Sequence, residues 1–471
     1  MTRTLYRRAL AIATMDDNRR VLPNADLLVE GKAIVAVGTG LEREPHDRVV
    51  DMTGKVLIPG MVNCHHHLYQ TLTRVVPCVQ DVELFDWLTD LYEIWRQLTP
   101  DAVRTGALVG LGELLLTGCT TSTDHHYVFP KNVDKKLIEV QAQAARELGI
   151  RFHPTRGSMS RGKSQGGLPP DDLVQPEEEI LADCERVIGV LHDPSRFSMC
   201  KVALAPCSPF SVTDKLLEKT AVLARKHKVL MHTHLAETID EEEFCLKLHG
   251  LRPLAYMERV GWVGRDVWYA HGIHFNDDEL ALLAKTKTGI AHCPSSNLRL
   301  GSGICRVPEL RKLGVPVGLA VDGSASNDAS NMLAEARQAL LVHRIKSGVN
   351  STTAMSTLEL ATRGGALVLG RDDIGSLEPG KAADFAAFDL HDLGYAGALH
   401  DPVAALLFCA ATQRAHTVVV NGEVVVANGH LVGASEDELI HKANRIAQEM
   451  VTGAKTHTGR DFLKPRQPKH V

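Results

Sequence analysis

A pair of histidines separated by one residue is the strongest chemical signal in this sequence. His65 and His67 follow an apolar run that ends at Cys64. Side chains alternate between the two faces of an extended strand, so His65 and His67 point the same way and His66 points away. Two imidazoles held like this can share one metal ion. Because the chain has 23 histidines in 471 residues, the pair alone is a weak indication of a metal site.

Other residues that can bind metal or move protons occur much later, each at the end of an apolar, strand-like run. They are His234, Glu237, His271 and Asp322. Each also has an ordinary structural interpretation, since Glu237 could cap a helix and a single buried histidine such as His271 is more often structural. Their common position at the ends of apolar runs favours a shared site.

Eight such runs must position these residues, and they alternate with helical patterns through the middle of the chain. The runs cover residues 57–64, 119–123, 150–155, 202–205, 229–235, 267–270, 289–292 and 315–321. Nearly continuous apolar strands that alternate with helices indicate a parallel sheet covered by helices. Eight units predict an α/β fold of the (β/α)8 TIM-barrel type, which places its chemistry at the carboxyl ends of the strands.

A different strand pattern occurs at both chain ends. Residues 27–38 contain two short strand-like runs around a turn, and residues 418–426 contain a hairpin around Asn421-Gly422, the strongest short hairpin signal. We therefore expect a small β-sandwich domain built from both ends of the chain.

These patterns divide the chain into three parts. Residues 1–58 together with 373–433 form the predicted small β domain, and residues 59–372 form the barrel. Residues 434–471 are expected to contain a helix over 436–450, opened by a capping pattern, and a loosely held polar tail from residue 456.

Composition and charge narrow the classes of partner. The net charge is -5 and no dense basic block occurs, so we expect neither nucleic acid nor a membrane as a partner. The ten cysteines lack C-x-x-C spacing, which favours reduced thiols and a cytoplasmic location. The arginines before residues 9–13 resemble a secretion signal only weakly, because the apolar stretch is short.

Several motifs in a fixed order resemble the amidohydrolase superfamily, and within it the branch that contains cytosine, guanine and 8-oxoguanine deaminases and the triazine hydrolases. The motifs are residues 59–67 (PGMVNCHHH), 232–237 (HTHLAE), 292–297 (HCPSSN), 321–324 (VDGS) and 374–384 (IGSLEPGKAAD). The resemblance extends over nearly the whole chain. Within that branch, Gln70, the segment 124–127 and an expected long loop around residues 84–88 point to the 8-oxoguanine deaminases.

The resemblance implies a metal centre with His65, His67, His234 and Asp322 as ligands. Three imidazole nitrogens and a carboxylate oxygen suit one catalytic Zn²⁺, and Fe²⁺ would also accept them. Binuclear relatives use a bridging lysine or carboxylate at the end of the fourth strand. The run here ends in residues 205–207 (APC), which offers neither, so we expect a single divalent ion.

The expected catalytic residues are Glu237, His271 and Asp322. In the reaction that the resemblance implies, Asp322 takes a proton from water and Glu237 protonates a ring nitrogen of the substrate. His271 is expected to stabilise the charge that develops at the attacked carbon. The roles of the nearby histidines stay open: His66, His125, His126 and His232.

Substrate recognition is assigned to polar residues past the strand ends: Gln70, Tyr127, Arg156 and His271. Such donors and acceptors suit a flat heterocycle with several carbonyl groups.

Three functions are weighed. The first is hydrolytic deamination of an aminated heterocycle, with 8-oxoguanine converted to urate and ammonia. The second is displacement of an amino or chloro group from a triazine or pterin, and the third is a non-catalytic scaffold barrel. A scaffold would be expected to lack one or more ligands, whereas this sequence keeps all four. The resemblance also implies a homo-oligomer.

Overall fold

The computed structural model describes residues 2–131, 133–134, 136–411 and 414–466. Strands in the first part of the chain are β1 (Arg3–Ala13), β2 (Val21–Glu30), β3 (Ala33–Gly38), β4 (Arg48–Asp51) and β5 (Lys55–Pro59). The next eight are β6 (Met61–Asn63), β7 (Cys119–His126), β8 (Arg151–Ser158), β9 (Ala203–Pro206), β10 (Leu230–Leu235), β11 (Val267–His271), β12 (Gly289–His292) and β13 (Val317–Leu319). The last are β14 (Phe385–Asp389), β15 (Thr417–Val420), β16 (Glu423–Ala427) and β17 (His430–Leu431).

Helices connect most of these strands. They are α1 (Leu84–Trp95), α2 (Pro100–Leu116), α3 (Leu137–Leu148), α4 (Glu177–Leu191), α5 (Asp214–His227), α6 (Ile239–His249), α7 (Pro253–Arg259), α8 (Asp277–Thr286), α9 (Pro294–Arg299), α10 (Val307–Lys312), α11 (Met332–Ser347), α12 (Ala354–Glu359), α13 (Gly365–Val368), α14 (Pro402–Phe408) and α15 (Glu436–Thr458). Of the helices in the described part of the chain, none combines the length and the hydropathy that a bilayer crossing needs.

Strands β6 to β13 form a parallel sheet in chain order. Its first and last strands are linked by backbone hydrogen bonds, since the Cys64 N–H donates to the Leu319 carbonyl at 3.2 Å and the Asp322 N–H to the His65 carbonyl at 3.1 Å. The sheet therefore closes into a barrel with helices between its strands. This confirms the predicted (β/α)8 fold.

The first predicted run, residues 57–64, is divided between two sheets at Gly60. A Cβ at Gly60 would lie 2.0 Å from the Thr120 hydroxyl oxygen, so only glycine allows β7 to pass this close. Residues before Gly60 belong to β5 and residues after it to β6. The chain thus enters the barrel directly from the smaller sheet.

The second sheet is built from both chain ends, as expected. Its strand order in the described residues is β17-β16-β15-β14-β5-β1-β2-β3, with β4 beside β1. Strands β5 and β14 join the two halves, with Leu57 opposite Ala387. Leu57 lies in a small core on one face, whereas Val56 and Ile58 face the large core that includes the barrel. The domain boundaries stay predictions.

Strand β1 was missed by the sequence analysis, which noted only a weak resemblance to a secretion signal there. The register between β1 and β2 shifts between Tyr6 and Ala9, and Arg8 has a left-handed backbone with φ 61°. Such a bulge interrupts the alternation of apolar and polar side chains that identifies a strand.

The C-terminal prediction was partly wrong. Helix α15 continues eight residues beyond the predicted end at 450, and residues 460 and 462 after it contact the rest of the protein. Phe462 is fully buried in the large core, and Arg460 Nη2 donates to Asp90 Oδ2 of α1 at 2.8 Å. Residues 467–471 of the predicted tail lie outside the described residues.

Candidate active site and metal centre

The four predicted ligands converge at the carboxyl end of the barrel. His65 and His67 follow β6, His234 lies in β10, and Asp322 follows β13. The Nε2 atoms of His67 and His234 are 3.0 Å apart. Asp322 Oδ1 lies 3.2 Å from His65 Nε2 and 3.4 Å from His67 Nε2. Strands far apart in sequence thus bring these atoms around one point.

Two backbone carbonyls define which nitrogen of His67 and His234 carries the proton. His67 Nδ1 lies 2.7 Å from the His125 carbonyl, and His234 Nδ1 lies 2.6 Å from the Cys207 carbonyl. A carbonyl only accepts, so each Nδ1 must carry the single proton of a neutral imidazole. Burial lowers the pKa of His67, and it lowers the pKa of His234 to about 3. Both Nε2 atoms therefore present lone pairs to each other.

His65 is oriented through another histidine. Its Nδ1 lies 2.7 Å from His232 Nε2, and His232 Nδ1 lies 2.9 Å from the Trp268 carbonyl. Burial lowers the pKa of both histidines well below the usual value. His65 Nε2 is buried and has no hydrogen-bond partner. An unpaired buried nitrogen is costly, which indicates that another group belongs beside it.

This donor set fits a divalent metal ion. Three lone pairs and a carboxylate oxygen meet in a buried place, and two of the lone pairs face each other at hydrogen-bond distance without a proton between them. A cation removes that repulsion and takes the nitrogen and oxygen ligands that zinc and iron accept. The Nδ1–H groups of these imidazoles donate mainly to backbone carbonyls, and such partners usually orient metal-bound histidines.

Glu237 and His271 lie beside this centre. His271 Nε2 is 3.4 Å from Glu237 Oε2 and 4.0 Å from Asp322 Oδ2, and its Nδ1 lies 2.8 Å from Asn297 Oδ1. Burial raises the pKa of Glu237 to about 7. Burial alone would lower the pKa of His271, but the Glu237 and Asp322 carboxylates outweigh it and raise that pKa above its usual value. Glu237 can therefore exchange a proton near neutral pH.

The backbone is strained where three of the barrel strands end. Ala236, His271 and Asp322 adopt left-handed conformations with φ of 54°, 72° and 64°, which cost free energy for residues with a Cβ. The buried Glu241 stabilises the turn at Ala236, because its carboxylate accepts from the Ala236 and Glu237 N–H groups at 2.9 and 3.0 Å. Such turns aim side chains into the barrel mouth.

The site lies at the base of a partly open cavity in the barrel mouth. Three of the predicted ligands, His67, His234 and Asp322, line its floor together with Glu237, and its upper wall is apolar. We call Leu84, Trp87 and Leu88 of α1 the ceiling; Phe210 and Leu300 complete the apolar wall. Residues 84–88 were expected to lie in a long loop, but they begin helix α1. The spacing of its apolar residues along a helix was the available signal.

Three of the four predicted substrate-binding residues line this cavity. Gln70 and Tyr127 do so together with His271. Gln70 Nε2 is buried without a hydrogen-bond partner, so it is free to donate to a ligand.

The structure does not bring Arg156 to the cavity. Its guanidinium donates to Asp183, to the Gly157 carbonyl and to Gln175, and it lies 4.0 Å above the Phe129 ring. These contacts use its donors on the side of β8 that faces α4.

The other histidines near the site face toward or away from the centre according to the alternation of side chains along a strand. His66 points away from the centre, with Nε2 2.9 Å from the Ser330 hydroxyl. His126 packs against Tyr69 and Phe129. His125 faces inward and stacks on His234, and one of its nitrogens lies within 4.8 Å of ligand atoms of His65, His67 and His234. Its Nε2 donates to the Ala205 carbonyl at 2.8 Å.

Comparison with known proteins agrees with this geometry. A profile of the amidohydrolase family matches residues 56–425. The chain belongs to the amidohydrolase family. This confirms the resemblance found in the sequence motifs.

Curated relatives and a solved structure match almost the whole chain. The 8-oxoguanine deaminase of Pseudomonas aeruginosa is 48% identical over 456 residues, covering 96% of this chain and 100% of that protein. The hydroxydechloroatrazine ethylaminohydrolase of Pseudomonas sp. (strain ADP) is 35% identical, covering 96% and 97%. The structure of atrazine chlorohydrolase from Arthrobacter aurescens TC1 complexed with zinc has a TM-score of 0.90 and 36% identity, covering 94% of this chain and 100% of that one.

Proposed function

We propose that this protein is a metal-dependent aminohydrolase that converts 8-oxoguanine and water to urate and ammonia. The observation that carries the proposal is the convergence of three unprotonated imidazole nitrogens and a carboxylate around one point, with Glu237 beside them. The 48% identity to an 8-oxoguanine deaminase over the whole length of that protein supports the substrate.

One divalent ion, with zinc preferred and iron possible, would be held by His65, His67, His234 and Asp322. When bound, such an ion lowers the pKa of water to roughly 7 and so supplies a nucleophile at neutral pH. The zinc in the chlorohydrolase structure, which shares 36% identity with this chain, supports zinc as the preferred ion.

The protein's own groups manage the protons. Asp322 accepts the proton that water loses as it adds to the amino-bearing carbon. Glu237 has a pKa of about 7, so it holds a proton and gives it to the adjacent ring nitrogen. His271, held by Asn297, lies 3.4 Å from Glu237 Oε2 and stabilises charge at the attacked centre. The proton on Asp322 then passes to the amino group, which leaves as ammonia, while the hydroxyl proton of the attacked carbon returns to Glu237 and a carbonyl remains.

The cavity walls suit a flat ring with polar edges. Gln70 and Tyr127 offer hydrogen-bonding groups on one side, and the ceiling of Leu84, Trp87 and Leu88 offers an apolar surface against the ring. Arg156 is left out of this proposal because its donors are used elsewhere.

A second candidate is hydrolysis of a triazine or pterin. The 35% identity to the ethylaminohydrolase and the TM-score of 0.90 to the chlorohydrolase favour it, since a chloro or alkylamino group can leave from the same kind of carbon.

A substrate panel separates the candidates. Zinc-loaded protein is incubated with 8-oxoguanine, guanine, isoxanthopterin, cytosine and hydroxyatrazine, and ammonia release and ultraviolet spectra are followed, with the Asp322→Asn variant as a blank. The highest kcat/KM is expected for 8-oxoguanine, with urate as product. Turnover of hydroxyatrazine with no ammonia from any purine would reject the proposed substrate.

We further propose that the enzyme works in the cytoplasm as a homo-oligomer. All ten cysteines lie in the described part of the chain as free thiols, which suits a reducing compartment. The oligomer rests on the family resemblance alone. Sedimentation of the purified protein at several concentrations tests it, and a single monomeric species would reject it.

A further inference from the structure

Both ring nitrogens of His232 make hydrogen bonds, which connect the predicted ligand His65 to the neighbouring strand β11. It lies in β10 two residues before His234, and it is opposite Trp268 in the register of β10 and β11. Its ring stacks on the Trp268 indole, with centroids 4.3 Å apart and an interplanar angle of 13°. It is fully buried.

The Trp268 carbonyl determines which ring nitrogen of His232 donates a hydrogen bond and which accepts one. That oxygen only accepts, so His232 Nδ1, 2.9 Å away, carries the ring's single proton. His232 Nε2 is then an acceptor, and His65 Nδ1–H donates a hydrogen bond to it at 2.7 Å. His65 therefore has no proton on Nε2, the atom that lies 3.2 Å from Asp322 Oδ1.

The same tryptophan also holds the backbone beside His65. Trp268 Nε1 donates to the Cys64 carbonyl at 3.0 Å. His65 is thus held at its ring by His232 of β10 and at the preceding residue by Trp268 of β11. His67 and His234 are held by carbonyl groups alone, so His65 is the only predicted ligand in the described chain whose proton position depends on another side chain.

We propose that His232 is a positioning residue that keeps His65 Nε2 free of a proton and aimed at the metal ion. This inference rests on the metal site of the proposed function. Partners that hydrogen bond to the second nitrogen of a metal-bound histidine typically contribute 10–100-fold to metal affinity. Loss of the His232 acceptor is expected to have an effect of that size.

Two amide substitutions separate the two ring nitrogens. In His232→Gln, the amide oxygen reaches the place of Nε2 and can still accept from His65. In His232→Asn, the shorter side chain reaches only the place of Nδ1, so it can bond to the Trp268 carbonyl but not to His65. Both substituted side chains are polar and of similar size, so the two variants should disturb the packing around residue 232 to a similar extent.

The experiment measures the zinc dissociation constant of each metal-free variant by competition with a chelator, together with its thermal midpoint. His232→Asn is expected to bind zinc 10–100-fold more weakly, and His232→Gln is expected to restore most of the affinity. His292→Asn is the control, because that buried histidine ends β12 and contacts His343 at 3.1 Å.

Equal affinity of His232→Asn and the wild type would overturn the inference, as would equal losses in both His232 variants. Failure of the proposed function has a different signature, since the wild type itself would then bind no zinc.

Discussion

The imidazoles of this site owe their ligand character to groups on neighbouring strands. His67 and His234 donate to carbonyls, and His65 donates to His232. In each case the proton is held on Nδ1 and the lone pair on Nε2 faces the centre. The position of each histidine at a strand end therefore determines its ligand character, because an acceptor on a neighbouring strand is within reach of its Nδ1.

Glu237 provides the sharpest test at this scale. Glu237→Gln keeps the size of the side chain but cannot carry the proton, so kcat on 8-oxoguanine is expected to fall by about 10²- to 10⁴-fold. Zinc content, measured by elemental analysis, should not change. The exposed Glu178→Gln on α4 is the control. A Glu237→Gln variant with near-normal kcat would contradict a role in proton transfer.

The positions of the candidate ligands could be expected from the sequence because these residues stand at strand ends, whereas their roles stay predictions. His65, His67, His234 and Asp322 lie close together as the resemblance implied. Arg156 differs because sequence alone does not define whether a side chain past β8 turns into the barrel or toward α4, where Asp183 accepts its guanidinium donors.

Helix α1 forms the ceiling of the cavity, and both of its tryptophans donate hydrogen bonds. Trp87 Nε1 donates to the Ala325 carbonyl at 3.2 Å, and Trp95 Nε1 donates to the Thr73 hydroxyl at 3.1 Å. Only Trp87 lines the cavity. The two residues thus allow the same substitution to be compared inside and outside the site.

Trp87→Phe and Trp95→Phe are each expected to lower the free energy of unfolding by about 1–3 kcal/mol, since each leaves one buried acceptor unpaired. Only Trp87→Phe should raise KM for 8-oxoguanine, because it loosens the ceiling against the ring. Steady-state kinetics and urea unfolding of both variants check this. The same KM in both would argue against a role of the ceiling in substrate binding.

Glu335 links three elements near the barrel mouth. It lies on α11 and accepts from the Ser295 N–H at 2.8 Å and from Asn327 Nδ2 at 3.0 Å. Burial raises the pKa of its carboxyl from 4.5 to about 7. Because the folded protein holds this proton more tightly than the unfolded chain, its contribution to stability is complete below pH 4.5 and is lost as the pH rises through 7.

The expected result is a pH-dependent difference between the wild type and Glu335→Gln. Between pH 5.5 and 8, the free energy of unfolding of metal-free wild type should fall by about 2 kcal/mol more than that of the variant. Urea unfolding at both pH values measures this. Parallel pH dependence of the two proteins would show that the carboxyl does not titrate in this range.

At the level of elements, the barrel strands were predictable and β1 was not. The barrel strands are short apolar runs buried on both faces, which is a strong local signal. Strand β1 contains a bulge at Arg8. It is defined by its pairing with β2, β4 and β5, and a local sequence pattern does not show such pairing. The positions of residues 460 and 462 likewise depend on contacts far away in sequence, since Arg460 donates to Asp90 of α1 and the Phe462 carbonyl accepts from the Cys78 N–H.

For the whole molecule, the metal site joins the two edges of the barrel. His65 and His67 follow its first strand and Asp322 follows its last, so a bound ion adds a link across the seam. Since the ligands are assembled only in the folded protein, ion binding and folding are coupled.

We expect the free energy of unfolding to increase by about 1.4 kcal/mol for each tenfold rise in free zinc above its dissociation constant. Asp322→Asn should abolish most of this dependence, whereas the exposed Asp278→Asn on α8 should keep it. Thermal unfolding at buffered zinc concentrations makes the measurement. A wild-type midpoint that does not respond to zinc would contradict the coupling.

The pairing of β5 with β14 has a consequence for biosynthesis. On the ribosome, β5 emerges early, but its partner emerges only after the entire barrel has been translated, on the order of tens of seconds later. During that time the β5 edge exposes unsatisfied backbone groups, which attract other nascent chains. Slower translation or scarce chaperones should therefore lower the soluble yield of this protein more than its final stability would suggest.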